Sequence, residues 1–225
     1  METLIVEDLL LLLLDDEKGH IAGEGTLYYA LGGAVLLELA LTERVRVEAK
    51  KSAFGSSLIH AVGSAPPADP VLAEAFGKIR EKPRTAQYLV TTLGSHLRTR
   101  IADRLVERGL VRRDTKKVLG LFRSTTWPAE DTRHEDELRE RIRAVLVDGE
   151  DPDPRTGAVI ALLSASGQMP VVLRYPGVSA SAVAKRVKAV SEGLWAAEAV
   201  KDAIVATNAA IAAAGTAAVM TVISQ

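Results

Sequence analysis

Three long apolar segments constrain the fold more than any other feature of this sequence. Residues 4–14 (LIVEDLLLLLL) and 27–41 (LYYALGGAVLLELAL) are almost continuously hydrophobic, and residues 203–225 contain no charged side chain. A helix that is apolar on every side is buried among other elements. The first segment is too short to span a bilayer, and the third is rich in alanine, which partitions weakly into lipid. We therefore expect three core helices, with a membrane anchor at 203–225 as the alternative.

The remaining pattern predicts a mainly helical chain with two β-hairpins. Gly32 and Gly33 are costly inside the second helix unless another backbone packs closely there, so we expect tight helix packing at this point. Residues 44–48 alternate with period two and can pair with residues 58–62. Further helices are predicted at residues 71–82, 97–108, 135–147, 156–166 and 179–193. The loop at 149–155 is the one candidate boundary, and we expect residues 1–225 to form a single domain.

Basic residues concentrate in residues 97–123, LRTRIADRLVERGLVRRDTKKVLGLFR. Nine Lys or Arg residues and three acids give this segment six excess positive charges, whereas the whole chain has a net charge of −1. The segment reads as an amphipathic helix ended by Gly109 and followed by a hairpin, with strands at 110–113 and 117–122 and a tip at 114–116. A basic patch on an acidic body attracts anionic surfaces, either a membrane or a nucleic acid.

Catalytic and metal-binding patterns are not evident in the sequence. The chain has no cysteine, which excludes thiol catalysis and disulfides, and its four histidines show no ligand spacing. The His134-Glu135-Asp136 cluster is typical of a solvated first helical turn. The sequence therefore predicts no enzyme, no metal and no cofactor.

The opening residues are acidic and do not form a signal peptide, so we expect a cytoplasmic protein. The many Ala and Arg residues suggest a GC-rich bacterial source.

Two hypotheses account for the basic segment. A helix followed by a hairpin and an aromatic residue also ends many winged-helix nucleic-acid-binding domains. That domain needs a short three-helix core, and no clear turn between a support and a recognition helix precedes residue 97. Membrane binding needs only basic charge on a rigid body and a projecting hairpin. We favour the membrane hypothesis and keep nucleic-acid binding through residues 97–123 as the alternative.

Seven stretches in order give this chain a resemblance to a known family. They are LIVEDLLLLLLDDEKG, GGAVLLELALTERVRVE, SAPPADPVLAEAF, RIADRLVERGLV with its hairpin through TTWP, RTGAVIALLSASG, AKRVKAV and VATNAAIAAAG. Together they resemble the Golgi phosphoprotein 3 family, whose Golgi members bind phosphatidylinositol 4-phosphate. The resemblance implies one all-helical domain, in which amphipathic helices surround a buried bundle and a β-hairpin protrudes. It also implies that the alanine-rich C-terminal helix is buried.

The resemblance implies that this chain keeps only part of the family's phosphate-binding pocket. In the Golgi members the pocket uses a tryptophan before the second helix, an arginine beside that helix's glycine, and two arginines three residues apart at the start of the basic helix. The matching positions here are Gly23, Gly32, Ser95 and Arg98. Arg98 alone keeps the family's residue type. The resemblance therefore implies lipid binding by Arg98 in a partly retained pocket, since one arginine supplies about one bidentate phosphate contact.

The hairpin matches the family in position and character, and there it serves self-association and membrane contact. The residues that would have this role are Arg112, Arg113, Lys116, Lys117, Leu119, Leu121 and Phe122. The implied partners are an anionic phospholipid, phosphoinositides included, and a second copy of the chain. The sequence thus predicts a non-enzymatic adaptor or peripheral membrane-binding protein, and it names no protein client.

Overall fold

The computed structural model describes residues 3–48, 57–118 and 122–192, and for 116–118 and 122–124 it describes the backbone alone. The described helices are α1 Ile5–Leu13, α2 Leu27–Leu41, α3 Pro70–Glu81, α4 Ala86–Gly94, α5 Leu97–Glu107, α6 Arg133–Arg143, α7 Pro154–Ala165, α8 Met169–Val172 and α9 Ala180–Ser191. The strands are β1 Val45–Glu48, β2 Leu58–Ala61, β3 Asp114–Val118 and β4 Phe122–Thr126. A 3-10 turn precedes α2, and a π-helical turn extends α6. The predicted mainly helical class is confirmed.

Helices α1, α2 and α7 form the centre of the core. All nine residues of α1 are buried, and α2 and α7 are buried along most of their lengths. The three helices pack against one another, and the remaining helices surround them. Burial of the first two apolar segments is confirmed, whereas the third, residues 203–225, lies outside the described residues. No helix in the described part of the chain combines the length and the apolar character needed to cross a membrane.

Two glycines set the distance between α2 and α4. A methyl group on Gly32 would overlap the carbonyl oxygen of Val90, and one on Gly94 would overlap the carbonyl oxygen of Tyr28. The two backbones therefore touch along one side, as expected for Gly32. The sequence did not predict α4. The sequence signal for α4 is Thr85, whose side chain caps the helix by accepting a hydrogen bond from the backbone N–H of Tyr88 at 3.3 Å.

Both β-hairpins are present, and the second has a register different from the prediction. Strands β1 and β2 pair antiparallel as expected. In the second hairpin Asp114 pairs with Thr126 and Val118 with Phe122, so residues 114–116 lie in a strand and not at the tip. The prediction was wrong because it took Asp114 as a turn residue, although threonines favour strands and the connecting residues 119–121 contain a glycine. Residues 110–113 precede β3, and Val111 is buried in the core.

Candidate functional site

The six arginines from Arg98 to Arg113 in the basic segment are ion-paired with carboxylates of the same chain. Their partners come from α1, from the turn before α2, from α3, from α5 itself and from the segment around the second hairpin. The pairs are Arg98 with Glu24, Arg100 with Glu74, Arg104 with Glu7 and Asp69, Arg108 with Glu7, Arg112 with Asp114 and Glu130, and Arg113 with Asp103. Much of the positive charge counted in the sequence is therefore neutralised within the fold.

The C-terminal half of α5 binds a buried carboxylate of α1. Glu7 has no exposed surface, and its Oε1 accepts hydrogen bonds from the Nε atoms of Arg104 at 3.0 Å and Arg108 at 2.9 Å. The backbone N–H of Leu4 donates to its other oxygen at 2.7 Å. Arg104 also reaches Asp69, the N-cap of α3, at 2.8 Å. Because a buried charge is tolerated only when it is paired, these two arginines have a structural role.

Arg98, at the start of α5, has a different environment. Its guanidinium carbon lies 5.3 Å from the ring centroid of Trp127, and its Nη1 pairs with the carboxylate of Glu24. The side chains of Arg98 and Glu24 are 41% and 55% exposed, whereas Trp127 is 4% exposed. A cation over an aromatic ring is held in place without losing its charge. Arg98 is therefore oriented by the core and open to solvent on its other side.

Two helices begin near this arginine. Glu24 lies in the 3-10 turn Glu24–Thr26, which leads directly into α2, and the tight contact of Gly94 with Tyr28 brings the start of α2 beside the α4–α5 junction. Neither Thr26 nor His96 caps the helix that follows with its own side chain. The start of a helix carries partial positive charge and favours anions. The surface around Arg98 is thus suited to an anionic group.

The structure places the four family-pocket positions as follows. Gly23 has left-handed backbone geometry, with φ of 68°, and a side chain there would meet Gln168. Gly32 faces the Val90 carbonyl, so an arginine at this position does not fit. Ser95 donates a hydrogen bond to the carbonyl of Thr92 at 2.8 Å. Arg98 is the one of these four positions that presents a cation. Sequence reasoning missed Trp127 and Glu24, which contact Arg98 from other segments.

The hairpin residues singled out in the sequence are described to different extents. Arg112 is exposed, and its Nη1 donates to the carbonyl of Ala129 at 3.0 Å. Arg113 pairs with Asp103 of α5. The backbones of Lys116, Lys117 and Phe122 lie in β3 and β4, where Lys117 is the register partner of Arg123. Leu119 and Leu121 lie outside the described residues. Oligomerisation or membrane contact through this hairpin stays a prediction.

The cluster His134-Glu135-Asp136 at the start of α6 is only in part the solvated turn that the sequence suggested, because Asp136 is exposed and Glu135 is not. Glu135 is buried, and its Oε1 accepts a hydrogen bond from the Nε of Arg139 at 2.8 Å. The Nε2 of His134 lies 2.8 Å from the Asp8 carboxylate of α1. Burial raises the pKa of Glu135 to about 7, although the charge of Arg139 opposes the shift. The interpretation was wrong for Glu135 because α6 packs on α1 at this end, which the pattern of a single segment does not reveal.

Comparison with known proteins identifies the family. The sequence profile of the family described as Golgi phosphoprotein 3 (GPP34) matches residues 5–207. The chain belongs to this family. The match covers all but the first two residues of the described part, and it confirms the resemblance drawn from the sequence stretches.

Two fungal relatives are similar to this member of the Golgi phosphoprotein 3 family. Vacuolar protein sorting-associated protein 74 of Eremothecium gossypii is 30% identical over 162 residues, which are 64% of this chain and 49% of the relative. The protein of the same name from Schizosaccharomyces pombe is 27% identical over 161 residues, which are 63% of this chain and 48% of the relative. The chain thus spans about half the length of these relatives. A bacterial source stays a prediction.

Proposed function

We propose that this protein is a non-enzymatic peripheral membrane protein of the adaptor type. It binds anionic phospholipids, phosphoinositides included, on the cytoplasmic side of a membrane. Arg98 contacts a headgroup phosphate, and the β3–β4 hairpin contacts the bilayer or a second copy of the chain. Family membership and the names of the two relatives, which refer to protein sorting, support the adaptor role.

The position of Arg98 carries the proposal. Its guanidinium lies over the buried Trp127 ring and is accessible from solvent. The contact of Gly94 with Tyr28 brings the starts of α2 and α5 close to this arginine. Together these groups supply one cation in a fixed position and partial positive charge, and both stabilise a bound phosphate group.

The hairpin contributes positive charge of a different kind. Besides the six arginines from Arg98 to Arg113, each of which has a carboxylate partner, the segment contains three further basic residues, Lys116, Lys117 and Arg123. All three belong to β3 or β4. Each basic residue near an anionic bilayer contributes about 1 kcal/mol of attraction. We therefore assign nonspecific attraction to the hairpin and the phosphate contact to Arg98.

Nucleic-acid binding is supported less well by the same geometry. Helices α4 and α5 are joined by a two-residue turn, Ser95 and His96, which the sequence did not reveal, and a hairpin follows α5. A recognition helix, however, needs side chains free to reach bases. Here Arg104 of α5 and Arg108 directly after it bind the buried Glu7, so neither is free to reach a base. We therefore propose the membrane as the partner and keep DNA as an outcome of the test.

Vesicle flotation tests the proposal. The vesicles contain phosphatidylcholine alone or phosphatidylcholine with phosphatidylinositol 4-phosphate or phosphatidylserine at matched negative charge. We expect binding to anionic vesicles that falls as salt rises. Arg98→Gln weakens binding about fivefold and Lys116→Gln combined with Lys117→Gln about thirtyfold, because each charge is worth about 1 kcal/mol. Arg143→Gln, which removes an exposed arginine of α6, is the matched control.

Two results would contradict this function. Absence of binding to every anionic vesicle, together with a salt-sensitive shift of duplex DNA in a gel, would favour the winged-helix alternative. Equal losses for Arg98→Gln and Arg143→Gln would show that Arg98 contributes only its charge and forms no site.

A further inference from the structure

Glu24 covers the arginine that the proposed function uses. The turn Glu24–Thr26 begins after Gly23, whose left-handed backbone directs the chain back toward α5, and Thr26 closes the turn with a backbone hydrogen bond to Gly23 at 2.9 Å. The Glu24 carboxylate pairs with the Nη1 of Arg98. The site thus holds an anionic group supplied by its own chain.

This internal ion pair is exchangeable. Both side chains are substantially exposed, and ion pairs of this kind contribute little free energy. Arg98 is also held over the Trp127 ring independently of Glu24, so its guanidinium keeps its position when the carboxylate leaves. An incoming anion with more charge and more oxygen atoms than a carboxylate can therefore displace Glu24.

The charge of the incoming group decides whether the exchange is favourable. A phosphodiester carries one negative charge, as the Glu24 carboxylate does, so replacing one by the other gains little attraction to Arg98. A phosphate monoester carries about −1.5 to −2 at neutral pH and presents three acceptor oxygens. It also interacts more strongly with the nearby helix starts. Only the monoester gains enough to release Glu24.

We propose that Glu24 determines ligand specificity by competing for Arg98, so that the site accepts phosphate monoester headgroups and rejects singly charged ones. This inference rests on the proposed function, since it requires Arg98 to be the phosphate contact. Glu24 acts through Arg98 and does not contact the bilayer itself.

The test compares Glu24→Gln with the wild type in flotation assays. One vesicle set contains phosphatidylcholine with phosphatidylinositol 4-phosphate, and the other contains phosphatidylserine at matched charge. We expect Glu24→Gln to raise binding to phosphatidylserine vesicles about two- to fivefold, the range of an exposed ion pair, and to reduce the preference for the monoester lipid. In the Arg98→Gln background the same substitution has no effect. Glu140→Gln, which removes the exposed partner of Arg143 in α6, is the control for net charge.

A second readout needs no vesicle. The Arg98 Nε–H signal in the ¹⁵N spectrum of the full-length protein is followed during titration with inorganic phosphate. We expect Glu24→Gln to respond at a lower phosphate concentration than the wild type. This arm also separates a lipid headgroup from free phosphate as the source of the anion.

The outcomes separate the two claims. The inference is overturned if Glu24→Gln and Glu140→Gln raise binding equally, if the effect persists in the Arg98→Gln background, or if the phosphate titrations of wild type and Glu24→Gln coincide. The proposed function would fail separately, by absence of binding to any anionic vesicle, while a shifted phosphate titration would still support competition by Glu24.

Discussion

The two ends of α5 carry the same residue type in different roles. Near its C-terminus Arg104 binds Glu7, which is completely buried, and near its N-terminus Arg98 binds Glu24, which is mostly exposed. The comparison shows that the partner's burial decides the role of each arginine. Where the carboxylate is out of water the pair is required for the fold, and where it is in water the pair is free to exchange.

The largest expected difference between the two ends of α5 is the stability lost when each carboxylate partner is removed. Glu7→Ala leaves Arg104 and Arg108 without their shared partner and the Leu4 N–H without its acceptor. We expect the free energy of unfolding to fall by about 3–5 kcal/mol. Glu24→Ala, the matched variant at the exposed end, should change it by less than about 1 kcal/mol. Denaturant unfolding measures both, and similar losses would refute the comparison.

The α4–α5 junction offers a second way to test the exposed end. In Gly94→Ala the new methyl group meets the backbone carbonyl of Tyr28, which cannot move without shifting α2. We expect a loss of about 3 kcal/mol from this overpacking. Gly77→Ala in α3, where nothing lies within 4 Å of the added methyl group, should stabilise the protein by up to about 1 kcal/mol. If thermal unfolding shows the two variants alike, α2 and α4 are not in backbone contact.

Glu135 adds a third ion pair to the comparison. Its carboxylate is buried, whereas its partner Arg139 is partly exposed. Burial raises its pKa from 4.5 to about 7, so the folded protein keeps a proton that the unfolded chain has released. The stability that this group contributes is therefore greatest below pH 4.5, and it falls by about 3 kcal/mol as pH rises to 7. Glu135→Gln should remove this decline in denaturant titrations, whereas Glu137→Gln, which removes an exposed carboxylate of the same helix, should keep it. A wild type whose stability does not decline would contradict the raised pKa.

The sequence anticipated the elements whose signal is local. Apolar runs predicted α1 and α2, Gly32 predicted a close backbone contact, and family stretches predicted the fold class. The ion pairs of α5 were not predictable in this way, because Glu7 and Arg104 are 97 residues apart. The contact of Arg98 with Trp127 was not predictable either, because the two residues belong to different segments. Charge counted along a segment shows how many cations are present, and only the fold shows which of them have partners.

The buried carboxylates of α1 and α2 also constrain the order in which the core can form during synthesis. Glu7 leaves the ribosome 97 residues before Arg104 and 101 before Arg108, and the Glu38 of α2 precedes its partner Arg155 by 117 residues. Until those arginines are made, closing the core over these carboxylates would bury uncompensated charge. We therefore expect α1 to be among the last helices to reach its final place, because the chain must extend to Arg155 before the core can close over both carboxylates.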